Sequence, residues 1–280
     1  MKRKYKELLL RQHPLSITIL KHISRACENL QFPFILIGAQ ARDLILTGKF
    51  DISPGSTTLD IDFAVAVDSW EQYTTLKNKI CQNGFEPVPG KQHKLIYKEG
   101  DYPIDLVPFG GIEEDGQIVW PPDRDVEMNV IGFQEVYANA ESLEIDDELV
   151  IKVASLAGLA ILKLIAWSDR HSTTTKDGED FGLLLKHYAD AGNCDRLYHA
   201  EDNNVMEQVD FNFDQASALL LGYDVVSIAS AKTLQELRSI INNELNNDDE
   251  LLIRTVMPCF TNNYDLTRTV LETFQKSLLH

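Results

Sequence analysis

The sequence predicts an α+β chain, with a mixed α/β region over residues 1–150 followed by a mainly helical region over 151–280. Three observations predict it. Short apolar runs of strand length alternate with segments of three-and-four apolar spacing in the first region, nearly every segment after Ser155 carries the helical spacing, and the composition shifts near residue 150. At 280 residues with 44% hydrophobic and 25% charged side chains, the chain has the composition of a globular protein with an ordinary core.

Taken in order, Ile19, Leu20, Ile23, Ala26, Cys27 and Leu30 form one helical stripe over residues 15–30. Phe34 to Ile37 is a short apolar run that ends at Gly38, and Ala39 to Leu46 reads as a helix, giving strand, tight turn, helix. Leu59 to Val67 is strand-like. Ser69 is placed to cap a helix running to about Gln82, with Glu71 in its acidic first turn and Asn83-Gly84 as its stop. His93 to Lys98 and Tyr102 to Phe109 are two strands separated by a hairpin-length turn. Gly110 to Arg124 is rich in turn residues, and Leu149 to Val153 reads either as a last strand or as a lead-in to a helix. Helices are then expected over 155–167, 177–191, 214–230, 233–241, 248–256 and 266–279, with Asn242 to Glu250 as a polar loop.

The net charge is −17, so a surface that tracks a nucleic-acid backbone by charge alone is excluded, and a nucleic-acid partner would need a local basic cleft. The longest apolar run, 150–167, is interrupted by Lys152 and Lys163 and is too short to span a bilayer. Four scattered cysteines without CxxC spacing, seven histidines without HExxH and no signal-peptide pattern lead us to expect a reduced, cytoplasmic protein without a zinc site.

Asp60 and Asp62 stand two apart in an otherwise apolar strand, so alternation projects both carboxylates from one face and Ile61 and Phe63 from the other. Such hard oxygen ligands suit Mg²⁺, although two acids bonded to loop amides would satisfy the same pattern. Asp105 is the single acid of YPIDLVPF, costly in a buried strand unless it is paired or binds metal. Three such acids on one sheet could form a two-metal site for phosphoryl or nucleotidyl transfer, while Pro103 leaves an edge-strand role open for Asp105. Gly38 and Ala39 sit where a strand hands over to a helix, a position at which amides can hold a phosphate, and Arg42 lies one turn further on, within reach of the same anion or of Asp43. Lys163 is one cation in an apolar helix, either snorkelling or meeting the phosphates of a nucleotide. An N-cap at Asp177 and a dipole-favoured Asp180 account for two further acids, with an active-site role as the alternative for Asp180.

The segments IGAQARDL (37–44), TLDIDFAVAV (58–67), IDLVPFGGIE (104–113), WPPD (120–123), LKLIAWSDR (162–170) and KDGED (176–180) together resemble the nucleotidyltransferase superfamily, specifically its AbiEii/AbiGii toxin-like branch, over roughly residues 30–190. The resemblance implies a polymerase-beta-like nucleotidyltransferase sheet in a domain over 1–150 and a helical domain over 151–280 that completes the nucleotide cleft. It implies Mg²⁺, as two ions with a bound NTP, and transfer of an NMP to an acceptor hydroxyl, which in relatives can be the end of a tRNA. It also implies an antitoxin protein as partner. Residue by residue, Gly38-Ala39 is similar to the family's phosphate turn, Asp60 and Asp62 to its paired metal ligands and Asp105 to its third carboxylate and base. Lys163 is similar to its phosphate-contacting lysine, and Asp180 to the last acid of the basic-Asp-x-x-Asp stretch. Ala39 departs from the usual Gly or Ser and lacks a hydroxyl. Two other activities fit the same residues: a non-catalytic nucleotide-binding regulator, and a transferase acting on small molecules of the aminoglycoside type.

Overall fold

The computed structural model describes residues 2–53, 60–122, 126–199 and 204–279. Thr58 and Leu59 of the second segment quoted above, and Asp123 of the WPPD segment, lie outside them. Two compact units are present, Met1–Ser155 and Leu156–His280.

In the first unit, α1 (Lys2–Gln12) precedes the expected leading helix α2 (Ser16–Leu30), and β1 (Phe34–Ile37) passes directly into α3 (Gly38–Phe50). Then come β2 (Ile61–Ala66), α4 (Trp70–Cys81), β3 (Phe85–Val88), β4 (Lys91–Tyr97) and β5 (Tyr102–Phe109). The turn-rich stretch contains β6 (Gln117–Val119), which pairs with β7 (Glu127–Asn129) in a small hairpin. After α5 (Phe133–Ala138) the chain forms β8 (Glu141–Asp146) and β9 (Leu149–Val153). Ser69 caps α4 as its position suggested, its hydroxyl accepting from the Gln72 amide at 3.3 Å.

Seven strands form one mixed sheet in the order β3-β4-β5-β2-β1-β9-β8. β2 runs parallel to β5 and antiparallel to β1, and β4 is antiparallel to β5. Leu149 to Val153 is therefore a strand, held parallel to β1 through Leu36 and Val153. β5 lies in the interior of the sheet, which corrects the edge-strand reading of Pro103. Pro103 pairs across β4 but lies beyond the start of the β2 ladder at Ile104, and Pro108 pairs across β2 but lies beyond the last β4 partner, Asp105. Each proline thus has a strand on one side only. Ile61, Phe63, Leu95, Ile104 and Leu106 are fully buried in the core of the sheet, with α3 packed against β1 and β2 and α2 against α4.

The second unit is helical: α6 (Leu156–Arg170), α7 (Lys176–His187), the single turn α8 (Val205–Gln208), α9 (Phe213–Ile228), α10 (Ala231–Asn246), α11 (Leu251–Val256) and α12 (Tyr264–Ser277). The expected polar loop over 242–250 begins only after Asn246, because Ile241 and Leu245 continue the buried stripe of α10 among the asparagines. Asn212, Ser230 and Asn263 cap α9, α10 and α12 by accepting from the amides of Gln215, Thr233 and Leu266. Gly222 lets α9 and α12 touch: a Cβ there would meet the Ser277 hydroxyl at 1.6 Å. Among the described residues no helix is long and apolar enough to cross a membrane.

Candidate active site

Strand register assembles the site in the first unit. Asp62 of β2 is the partner of Asp105 of β5, Asp105 is the partner of Lys94 of β4, and on the other side Asp62 is the partner of Ile37, the residue before Gly38. Directly paired residues share a face, so Lys94, Asp105 and Asp62 form one lateral row. Asp60, two residues before Asp62, joins them. One carboxylate oxygen from each of Asp60, Asp62 and Asp105 lies within 4.8 Å of the other two. The alternation argument therefore holds for the pair, with Ile61 and Phe63 completely buried on the other face.

Gly38 is fitted to this row. Its φ of +71° is in the left-handed region, and a Cβ would stand 2.0 Å from Asp62 Oδ2. Only glycine allows both the turn from β1 into α3 and the approach of the Asp62 carboxylate to the start of that helix. Ala39 follows, half-buried, in the first turn of α3.

Lys94 was not singled out from the sequence. Its ammonium stands 2.8 Å from Asp105 Oδ1, with both side chains 20% exposed. Burial works against the charge, but the close Asp105 carboxylate, joined by the charges of Asp60 and Asp62, holds its pKa above the ordinary lysine value. A cationic side chain drawn to these acids fits a site that calls for positive charge. The donors are all hard carboxylate oxygens, and this chemistry suits Mg²⁺ rather than a softer metal. Asp60, Asp62 and Asp105 would hold the ion.

Arg42 is elsewhere. It is 2% exposed, and its Nε and Nη2 donate to Asp43 Oδ1 at 2.9 and 2.7 Å, while Gln12 Nε2 donates to Asp43 Oδ2 at 2.9 Å. The structure thus shows the Asp43 pairing, one of the two partners open to Arg42 in the sequence.

Lys163 and Asp180 belong to the second unit, where α6 and α7 pack together. Lys163 Nζ donates to Asp177 Oδ1 at 3.0 Å and lies 2.6 Å from Asp180 Oδ2; Arg170 donates from Nε and Nη2 to the two oxygens of Asp177 at 2.6 and 2.9 Å. Lys163 therefore does not snorkel. Burial lowers its proton affinity, but the charges of Asp180 and Asp177 outweigh that and raise its pKa above the usual value. The N-cap position of α7 is Thr175, so Asp177 is not the cap. It is a buried first-turn acid whose pKa, despite burial, is held below the usual carboxylate range by Arg170 and Lys163.

Comparison with known proteins adds the following. The chain matches the family described as nucleotidyl transferase AbiEii toxin, type IV toxin–antitoxin system, over residues 57–251. Among solved structures, the solution structure of the antibiotic-resistance factor ANT(2'')-Ia is similar at a TM-score of 0.40 and 12% identity, covering 71% of this chain and 99% of that one. No curated protein sequence matches.

Proposed function

The chain belongs to the nucleotidyl transferase AbiEii toxin family and is a nucleotidyltransferase; from that premise we propose that it moves an NMP from an NTP to an acceptor hydroxyl, using Mg²⁺ at Asp60, Asp62 and Asp105. The observation that carries the reading is the meeting of three carboxylates from β2, its leading residue and β5 within 4.8 Å. Divalent ions bound there would stabilise the attacking and leaving oxygens of an in-line displacement at the α-phosphate. The protein's own residues do the rest. Gly38, without a side chain, leaves room for the Asp62 carboxylate at the start of α3, and the small Ala39 beside it lets a phosphate approach the backbone amides. Asp105 takes the proton of the acceptor hydroxyl as the new P–O bond forms, and pyrophosphate leaves with the electron pair of the broken bond. Holding the reactants in line and meeting the developing charge with fixed groups account for most of the rate in such chemistry.

The acceptor in this reading is an RNA end, and the type IV toxin–antitoxin designation of the family supports an antitoxin protein as partner. Incubation with each α-labelled NTP, Mg²⁺ and a total cell extract tests the assignment. Label in RNA supports it, label in small molecules transfers the activity to that acceptor class, and label nowhere contradicts the proposal.

A further inference from the structure

The proposed function leaves one charged member of the row without a role. Lys94 belongs to β4, a strand that supplies none of the three aspartates, yet its register places it opposite Asp105 and its ammonium lies 2.8 Å from Oδ1. With each partner only 20% exposed, the contact is partly withdrawn from water, where an ion pair is screened less than on an open surface. Three carboxylates crowded within 4.8 Å repel one another, and this ammonium lies against one of them.

A divalent ion held by the same carboxylates would stand a few ångström from that ammonium. Two cations so placed in a partly buried site repel strongly. Either the lysine moves or the ion binds weakly.

We infer that Lys94 is a resident cation of the carboxylate row: it neutralises Asp105 while no divalent ion is bound, and a divalent ion must displace its ammonium in order to bind. The inference rests on the metal reading given above and deepens it. Lys94 acts through Asp105 and is a positioning residue. Metal alone competes with an ion pair already made, whereas metal arriving with a triphosphate brings anionic oxygens for the displaced ammonium. Lys94 thereby makes metal binding weaker without nucleotide than with it.

The test is Mn²⁺ binding to the full chain without nucleotide, followed by electron paramagnetic resonance, in wild type, Lys94→Met and Lys94→Arg. Lys94→Met keeps the apolar stem and removes the competing charge, so its Mn²⁺ affinity rises by roughly tenfold or more; Lys94→Arg keeps the charge and stays near wild type. A residue with a merely structural role would weaken metal binding when lost, the opposite direction. A second measurement needs no variant at position 94: amine-reactive labelling of Lys94, read by peptide mass spectrometry, rises when Mn²⁺ is added to wild type and does not rise in Asp62→Asn. Lys94→Met binding Mn²⁺ no more tightly than wild type, or wild-type labelling of Lys94 indifferent to bound Mn²⁺, overturns the inference and leaves the metal reading standing. Failure of both wild type and Lys94→Met to bind Mn²⁺ overturns the metal reading and this inference with it.

Discussion

Asp62 shows how much a single side chain carries, because its carboxylate serves the row of acids and also fills the space that Gly38 leaves open. Asp62→Asn keeps the shape and removes one of three mutually repelling charges. Nucleotide transfer is expected to fall at least ~100-fold, while the melting temperature measured by circular dichroism holds or rises. Gly38→Ala acts on the same contact from the other side. The added methyl meets Asp62 Oδ2 at 2.0 Å on a backbone of φ +71°, so the loss is about 2 kcal/mol or more, readable in urea titration, and transfer falls with it. The three aspartates were legible because Asp60 and Asp62 follow the alternation of one apolar run and Asp105 is the single acid of another. Lys94 was not, since KQHKLIYK carries three lysines and resembles the solvated face of an edge strand. A signal was present: the hairpin pairs Tyr97 with Tyr102, and counting back three pairs sets Lys94 opposite Asp105. Arg42 was ambiguous because sequence alone does not show which anion a buried guanidinium meets, and Asp43 is its neighbour in the chain.

At the scale of elements, α6 and α7 are joined by Lys163, which meets Asp177 and Asp180 from one helix to the other. Lys163→Met leaves two buried acids without that cation and is expected to cost about 3 kcal/mol. The double variant Lys163→Met/Asp180→Asn recovers part of the loss, a coupling that denaturant melts of the two single variants and the double variant measure. Additive losses would contradict the pairing. The pH dependence follows from the two shifts. Asp177 has a depressed folded-state pKa, so its contribution is present above the unfolded value, roughly 3.9, and is lost as pH falls through the folded one. Lys163 has a raised pKa, so its contribution is complete below the unfolded value, roughly 10.4, and is lost as pH rises through the folded one. Asp177→Asn therefore flattens acid denaturation, and Lys163→Met flattens the alkaline limb. Elements with a strong period and a cap, such as α4 behind Ser69, were readable from the residues. β3 was not, because FEPV holds a proline and pairs only with β4 at the sheet edge, and the last turn of α10 was hidden by asparagines surrounding its buried Leu245.

For the whole molecule, the net charge of −17 and the carboxylate row both oppose an anionic nucleotide that arrives without a cation. Mg²⁺ alone and NTP alone are each expected to move the melting transition little. Together, at about 100 times the dissociation constant, they add roughly 2.7 kcal/mol, on the order of 5 °C or more for a chain of this length, and Asp62→Asn abolishes the synergy. Thermal scans with the four NTPs check this. Asp60, Asp62, Asp105 and Gly38 lie in the first unit and Lys163 and Asp180 in the second. The central claim is that the three aspartates perform nucleotidyl transfer, and pyrophosphate release from each NTP with Mg²⁺ and cell extract tests it most directly. The account predicts release by the wild-type protein with at least one NTP and none above background from Asp62→Asn; equal release from both, or none from wild type with any of the four, would contradict it.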